Sequence, residues 1–253
     1  SMTTSSAELH DSAIIIDLVG ALAGNPVYLD WYRSGGVTGL APTVGGTESA
    51  RVALDQLALW SRVLRERHDL LMVREAGVVV LAKRGGKLGV FLHLQGTDPI
   101  EDNLDLVDLY QALGVGVIQL TYNVKNRVGD GCEERTDAGL SRFGIKLIER
   151  LNRARVLVGC SHTGLRTSLA AIEHSAAPVI LSHSNAASVH PSPRNVSDEL
   201  IRAVAGSGGV IGVVGFPGMV ADAQRPSMDQ FIAHIERIVE LVGIDHVGLG
   251  IDY

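Results

Sequence analysis

Two short stretches of this sequence end an apolar run on the pair serine–histidine. The first is VLVGCSHTG, residues 156–164, which contains His162, and the second is VILSHSN, residues 179–185, which contains His183. Neighbouring parallel strands lie about 4.8 Å apart, so histidines at the ends of two such strands can reach one ion. Imidazole nitrogen is a zinc ligand, and a catalytic zinc site keeps one position open for water. The two stretches therefore predict a metal centre that activates water.

Other polar side chains follow further apolar runs, at what would be the same edge of a sheet. Gln95 follows the third run, Tyr122 and Asn123 follow the fourth, and Asp252 follows the eighth. In the loop after the second histidine, Arg194 has the planar fork that binds a carboxylate through two hydrogen bonds. The sequence thus predicts an acid, an amide and a phenol at the same rim as the two histidines, with an arginine nearby that could bind a carboxylate.

Each of these residues also has an ordinary structural role to weigh. A single histidine at a strand end is more often hydrogen-bonded than metal-bound, a loop arginine often forms a surface ion pair, and Asp252 could cap a helix. His162 and His183 differ because they stand on neighbouring strands at matching depth. His93 lies inside the third run and could be a core residue. We interpret the following as structural or wrongly placed for a site: His10, His174, His190, His234 and His246.

Eight apolar, β-branched runs supply the strands that would position these side chains. The runs are apolar throughout rather than alternating, which is typical of parallel strands buried on both faces. They span residues 13–19, 37–44, 87–94, 114–122, 155–161, 177–183, 208–216 and 246–252.

Segments with helical periodicity separate the runs and span residues 47–74, 102–114, 141–153, 166–175, 197–208 and 227–243, with a hairpin predicted at 77–86. Strands alternating with helices predict one α/β domain over residues 1–253, a (β/α)8 TIM-like barrel. A doubly wound sheet is the competing architecture, and the lack of Gly-x-Gly-x-x-Gly after the first strand disfavours it. The closing C-terminal helix is missing from the sequence, so we expect that the natural protein continues or that this helix comes from elsewhere.

The composition favours a small molecule as the partner. The net charge is −6, and no cluster of Lys and Arg is long enough for nucleic acid or a membrane surface. No apolar run reaches the roughly 18 residues of a membrane span. The N-terminal stretch SMTTSSAELHDSA shows no signal peptide, and Cys132 and Cys160 do not make a disulfide framework. We therefore expect a cytoplasmic protein with no nucleic-acid partner and no membrane span.

Several longer stretches together have a specific resemblance. They are LTYNVKN (120–126), DAGLSRFG (137–144), CSHTG (160–164), PVILSHSNA (178–186), PRNVSDELIRAVAGSGGVIGV (193–213) and DHVGLGID (245–252). From about Ile16 to its end, the chain resembles the membrane (renal-type) dipeptidases and their bacterial relatives, peptidase family M19. The resemblance implies a TIM-like barrel of the metallo-dependent hydrolase type. It also implies a two-zinc site that hydrolyses dipeptides, including those with a D-residue at the C-terminal position, and a homodimer.

Carried over position by position, the resemblance assigns roles to four residues. His162 and His183 match the family's two histidine ligands of one zinc ion. Arg194 matches the arginine that holds the substrate carboxylate, and Asp252 matches the acid that passes a proton to the leaving amine.

The resemblance fails at the positions that bind the second zinc ion. The family's first strand has His-x-Asp, whereas this chain has Val19 and Ala21 there, and no shift of register restores the pair. Gln95 stands in place of the carboxylate that bridges the metals, and Tyr122 in place of a histidine on the substrate side. Because a neutral amide is a weak ligand, we expect one zinc ion rather than two.

These observations predict a metal-dependent, dipeptidase-like hydrolase with an altered metal site. The predicted roles form three sets: metal ligands His162, His183 and Gln95; catalytic residues Asp252 and Tyr122; substrate-binding residues Arg194 and Asn123. Asp252 would transfer protons, and Tyr122 would donate to the developing oxyanion. Two alternatives remain open: a non-catalytic member that binds a small carboxylate, and a single-metal hydrolase of another small amide or lactone.

Overall fold

Parallel strands form a barrel in the computed structural model, which describes residues 5–253. The strands are β1 (Ile16–Gly20), β2 (Gly39–Gly45), β3 (Leu70–Met72), β4 (Leu88–Val90), β5 (Leu92–Leu94), β6 (Val115–Gln119), β7 (Leu157–Gly159), β8 (Val179–Ile180), β9 (Ile211–Val213) and β10 (Val247–Leu249). They pair in the order β8-β7-β6-β5-β2-β1-β10-β9, and a parallel bridge between Leu181 and Ile211 joins the two ends. The predicted eight-stranded barrel is therefore confirmed.

The third predicted strand is divided into two short ones. β4 pairs with β2 and β3, and β5, which begins after Phe91, pairs with β2 and β6. Since β3 pairs only with β4, it lies outside the eight positions of the barrel wall. The remaining predicted runs each overlap one observed strand.

Helices cover the outside of the barrel. They are α1 (Ser6–Ser12), α2 (Leu29–Ser34), α3 (Ala50–Glu66), α4 (Ala76–Arg84), α5 (Leu106–Ala112), α6 (Arg142–Ala154), α7 (Leu165–His174), α8 (Asp198–Gly206), α9 (Pro217–Val220) and α10 (Met228–Val242). Serine side chains cap the amino termini of four of them: Ser5 for α1, Ser141 for α6, Ser197 for α8 and Ser227 for α10. Each cap satisfies a backbone N–H that has no partner within the helix.

Between the second and third barrel strands, one prediction holds in part and another is wrong. The segment with helical periodicity over 47–74 contains the helix α3, but α3 ends at Glu66 and the chain then enters β3. The hairpin predicted over 77–86 is the helix α4, which buries Val79 and Ala82 on one side. The β-branched run there favours a strand by local propensity, but packing against the barrel outweighs a preference of that size.

Because the barrel strands are parallel, their carboxyl ends lie at one rim. The residues after β5, β6, β7, β8 and β10 therefore meet there, and these include Gln95, Tyr122, His162, His183 and Asp252. None of the helices in the part of the chain that the structure describes combines the length and apolar character needed to cross a membrane. Residues 1–4, the start of the stretch predicted to lack a signal peptide, lie outside the described residues.

Candidate active site

The two histidines of the repeated Ser-His pair point at each other. His162 follows β7 and His183 follows β8, and these strands pair directly through Gly159 and Ile180. The Nε2 atoms of the two rings lie 2.7 Å apart. Their exposed fractions are 6% for His162 and 0% for His183, so water reaches the rings from one side at most.

A hydrogen bond to the other nitrogen of each ring sets its orientation. His162 Nδ1 lies 2.6 Å from Asn123 Oδ1, and since an amide oxygen only accepts, Nδ1 donates and Nε2 keeps its lone pair. His183 Nδ1 lies 2.8 Å from the Ser182 hydroxyl, which can accept from it or donate to it. Partners of this kind orient metal-binding histidines, so both Nε2 atoms are directed at one position.

The serine of the first pair contacts the backbone of the second pair. Ser161 Oγ accepts a hydrogen bond from the His183 backbone N–H at 3.0 Å. The same hydroxyl lies 3.0 Å from the hydroxyl of Ser184, and both are fully buried. Ser161 thus fixes the backbone that holds the other strand's histidine.

Both imidazoles are neutral. Burial, reinforced by the charge of Arg194, lowers the pKa of His162 to about 2. Burial also lowers the pKa of His183 well below its ordinary value, with smaller effects from His162 and Arg194. A neutral imidazole with a free lone pair is the form of histidine that binds a metal ion.

Three site residues have left-handed backbone conformations that non-glycine residues rarely adopt. The φ angles are 62° for Asn123, 65° for His162 and 65° for Asp252. Such conformations cost on the order of 1–3 kcal/mol each and cluster at functional sites. Their presence at three rim positions supports a function for this end of the barrel.

Arg194, Tyr122 and Asp252 surround the pair of histidines. Arg194 Nη2 donates to the backbone oxygen of His183 at 3.3 Å. The Tyr122 ring stacks on the His162 ring, with centroids 4.1 Å apart and 22° between the planes. Burial raises the pKa of Asp252 to about 6; nearby Arg194 opposes this rise and the charge of Asp17 adds to it. An acid with a raised pKa beside two neutral imidazoles is suited to proton transfer.

Two of the predicted site residues make contacts that the sequence did not indicate. Asn123 is predicted to bind substrate, whereas its side-chain oxygen contacts His162 Nδ1. Gln95 is predicted to bind the metal, and its Nε2 donates to Thr43 Oγ1 at 2.9 Å, which leaves its oxygen free. Gln95 lies on the cavity wall, with 8% of its surface exposed.

Two ring nitrogens converge on one candidate metal position. The two Nε2 atoms can share one ion, whereas Val19 is a fully buried apolar residue and Ala21 has no ligand atom. Within residues 5–253, no group of three or more His, Cys, Asp or Glu side chains is arranged to hold a metal. A third ligand would have to be of another type, such as the Gln95 amide, or come from water.

Two cavities open at this rim and share Tyr122 and Asp252. We call the first the arginine compartment; it has a volume of about 340 Å³ and is lined by Asn123, His162, Arg194, Phe216 and Met219 as well. We call the second the acidic compartment; it has a volume of about 350 Å³ and is also lined by Thr43, Gly45, Gly46, Glu48 and Gln95. Together they form a cleft large enough for a small peptide.

Two buried polar residues, His93 and Asp17, received no site role from the sequence, which indicated only that His93 could be a core residue. His93 is fully buried, neither ring nitrogen has a partner, and its ring lies edge-on to His183 with centroids 6.5 Å apart. Burial lowers its pKa to about 3. Asp17 accepts hydrogen bonds from the backbone of Val19 and Ile251, which ties β1 to the segment that contains Asp252. A histidine or aspartate inside an apolar run was the only available signal.

The environment of Asp17 leads to a prediction about stability. Burial raises its pKa from 3.8 to about 6, against the two backbone hydrogen bonds. Between these values the folded state keeps a proton that the unfolded state has lost, so stability falls as the pH rises. A shift of this size corresponds to about 3 kcal/mol above pH 6.

We therefore expect Asp17→Asn to raise the free energy of unfolding of the metal-free protein at pH 7.5, and to have less effect at pH 4.5. Asparagine keeps an oxygen that can accept both hydrogen bonds but loses the buried charge. Denaturant unfolding at the two pH values measures this, with Asp11→Asn, at an exposed position, as the control. Equal effects of Asp17→Asn at both pH values would contradict the explanation.

Comparison with protein families gives a match over most of the chain. Residues 27–253 match the model described as membrane dipeptidase, peptidase family M19. A dipeptidase of Clonostachys rogersoniana is 30% identical over 209 residues, which cover 81% of this chain and 54% of that protein. An uncharacterized dipeptidase of Schizosaccharomyces pombe is 33% identical over 215 residues, covering 82% of this chain and 52% of that protein. The chain thus spans about half the length of these curated relatives.

Solved structures share the barrel. A crystal structure of an amidohydrolase from Pseudomonas aeruginosa superposes with a TM-score of 0.94 at 33% identity, covering 98% of this chain and 77% of that one. A metallo peptidase from Rhodobacter sphaeroides, solved with a phosphinate mimic of the dipeptide L-Ala-D-Ala, has a TM-score of 0.86 at 20% identity, covering 95% of this chain and 86% of that one. At that lower identity, the second comparison concerns the fold alone.

Proposed function

This chain belongs to the membrane dipeptidase family, peptidase family M19, and from that membership we propose that it is a metal-dependent hydrolase that cleaves the peptide bond of dipeptides. One observation carries the proposal: the Nε2 atoms of His162 and His183 converge to 2.7 Å beside Arg194 and Asp252. The two relatives named as dipeptidases and the neighbour solved with a dipeptide mimic support the same class of substrate.

The metal in this proposal is one zinc ion. His162 and His183 would hold it through Nε2, with the free oxygen of Gln95 or a water as a further ligand. When bound, such an ion lowers the pKa of a water molecule toward about 7. Two imidazoles and an amide carry no negative charge, so binding is expected to be weaker than in a site that has carboxylates.

The side chains around the metal position would bind the substrate, transfer protons and stabilise the developing negative charge. Arg194 would bind the free carboxylate of the substrate through its two parallel N–H groups. Asp252 would accept a proton from the attacking water and return it to the departing amine. Tyr122, which stacks on His162 and lines both compartments, would donate a hydrogen bond from its hydroxyl to the oxygen of the carbonyl under attack. Asn123 would act on the reaction indirectly, by orienting His162.

The proposed substrates include dipeptides with a C-terminal D-residue, because the resemblance to the family implies them. The arginine compartment supports them in one respect, because it combines Arg194 with the apolar side chains of Phe216 and Met219. Those side chains can contact the side chain of a C-terminal residue while Arg194 binds its carboxylate. A cytoplasmic location and a homodimer remain predictions.

A second candidate function has one specific observation in its favour. No group of three His, Cys, Asp or Glu side chains among residues 5–253 is arranged to bind a metal, and the positions of the second zinc ligands hold Val19 and Ala21. A barrel with these changes could bind a small carboxylate at Arg194 without cleaving it. Hydrolysis of another small amide or a lactone by one metal is the third candidate.

Zinc titration with a dipeptide assay distinguishes these candidates. We expect metal-free protein to be inactive, one zinc per chain to bind, and cleavage of dipeptides to rise with zinc occupancy. Binding of zinc without cleavage of dipeptides, but with cleavage of other amides or lactones, would support the third candidate. Absence of both zinc binding and hydrolysis would overturn the proposal in favour of the non-catalytic binder.

A further inference from the structure

The acidic compartment offers hydrogen-bond acceptors and no positive charge. Its lining includes the carboxyl groups of Glu48 and Asp252 and the amide of Gln95. No Lys, Arg or His side chain is among the residues that line it. A cavity with this lining favours a cationic ligand over a neutral or anionic one.

Glu48 is held in place by the backbone of its own loop. Its Oε1 accepts from the Gly46 N–H at 2.9 Å, and its Oε2 accepts from the Thr47 N–H at 3.0 Å. The carboxyl group lies over Gly45, where an added Cβ would lie 1.8 Å from Oε1, so a side chain at position 45 would displace it. The loop therefore presents this carboxyl group at the cavity in a defined position.

Glu48 has no cationic partner within the protein. It takes part in none of the ion pairs found among residues 5–253. Each carboxylate oxygen has a second lone pair, so two backbone amides leave acceptor capacity for a ligand. A preorganised, unpaired carboxyl group in a cleft is a candidate for ligand recognition.

The other half of the cleft contains a cationic side chain, together with the carboxyl groups of Glu133 and Asp252. Arg194 lines the arginine compartment, which adjoins the acidic compartment at Tyr122 and Asp252. A free dipeptide at neutral pH carries an ammonium at one end and a carboxylate at the other, with its one peptide bond between them. If the two ends occupy the two compartments, the peptide bond lies at the residues that the compartments share.

We propose that Glu48 binds the α-ammonium group of the substrate and so selects peptides with a free amino terminus. This inference rests on the proposed dipeptidase function. With Arg194 on the carboxylate, Glu48 sets the direction in which the dipeptide lies across the cleft. N-acylated dipeptides lack the positive charge and leave Glu48 unpaired, so they bind more weakly.

The proposal is tested by comparing the kinetics of zinc-loaded protein with L-Ala-L-Ala and with its N-acetyl derivative. For the wild type, kcat/KM is expected to be at least about tenfold higher for the free dipeptide, the effect of one hydrogen-bonded charge partly shielded from water. In Glu48→Gln, KM for the free dipeptide rises about tenfold while the N-acetyl derivative is unaffected, so the preference disappears. Glu133→Gln, which removes an exposed carboxyl group from the arginine compartment, is the matched control and retains the preference.

Two further measurements keep this test separate from the test of dipeptide hydrolysis. Calorimetric binding of the same two ligands to the wild type compares their affinities even if neither is cleaved, and equal affinities would overturn the role of Glu48 alone. Zinc content is measured for Glu48→Gln, and loss of zinc would overturn the proposal by making Glu48 a metal ligand. A wild type that prefers the free dipeptide, with a zinc-loaded Glu48→Gln variant that does not, supports it.

Discussion

Replacement of His183 by alanine is expected to remove both zinc and hydrolysis. The variant keeps one imidazole and loses the partner whose Nε2 lies 2.7 Å from that of His162. A single neutral ligand does not hold the ion, and without it the water is not activated, so kcat/KM falls by roughly 10³-fold or more. Zinc content by mass spectrometry and the rate of dipeptide cleavage measure the two losses.

The control for this variant must separate loss of metal from loss of fold. His183 is fully buried, so alanine leaves a space that costs on the order of 2–5 kcal/mol. His183→Asn fills part of that space, and circular dichroism compares both variants with the wild type. His174→Ala, at an exposed position on α7, should change neither zinc content nor rate. A folded His183→Asn variant that keeps full activity would refute the assignment.

Replacement of Asp252 by asparagine is expected to lower the rate and leave zinc in place. Asparagine tolerates the left-handed conformation of this position, where φ is 65°, so the loop should keep its shape. The variant cannot take a proton from water or deliver one to the amine, and loss of general acid–base catalysis costs about 10²- to 10⁴-fold. The effect should fall on kcat rather than KM, because Arg194 and Glu48 are unchanged.

Steady-state kinetics and zinc content together test the role of Asp252. Asp245→Asn, an exposed position seven residues earlier, is the control for a general effect of charge near the end of the chain. If Asp252→Asn lost zinc in proportion to its activity, Asp252 would hold the metal rather than transfer the proton. An unchanged kcat would remove Asp252 from the reaction altogether.

The three-dimensional positions of His162 and His183 followed from sequence because parallel strands impose a simple geometry. Each histidine ends an apolar run, the two runs are consecutive strands, and consecutive strands of such a barrel are neighbours. The same argument located Asp252 and Tyr122 at this rim. It depends only on strand ends, which the apolar runs indicate to within a few residues.

The contacts of the loops did not follow from sequence. Asn123 is paired with His162 through a left-handed turn, and Glu48 is turned back over Gly45 onto the amides of its own loop. Such contacts depend on the backbone angles of the loops, which the periodicity of apolar residues in the sequence does not predict. The same limit explains the error at α4. There a β-branched run favours a strand by local propensity, but the run forms a helix that packs on the barrel.

The sequence by itself determined the approximate positions of the eight strands of the barrel wall, their parallel arrangement and the residue types at their carboxyl ends, because burial on both faces leaves a pattern in the chain. It also gave Val19 and Ala21, whose side chains have no ligand atoms, at the positions where the family resemblance implies ligands of a second metal. Only the tertiary structure decided which nitrogen of each histidine faces the shared position. It alone also decided that Asp17 and Asp252 hold their protons to about pH 6. Orientation and pKa depend on neighbours brought together from distant parts of the chain, and local sequence does not specify those neighbours.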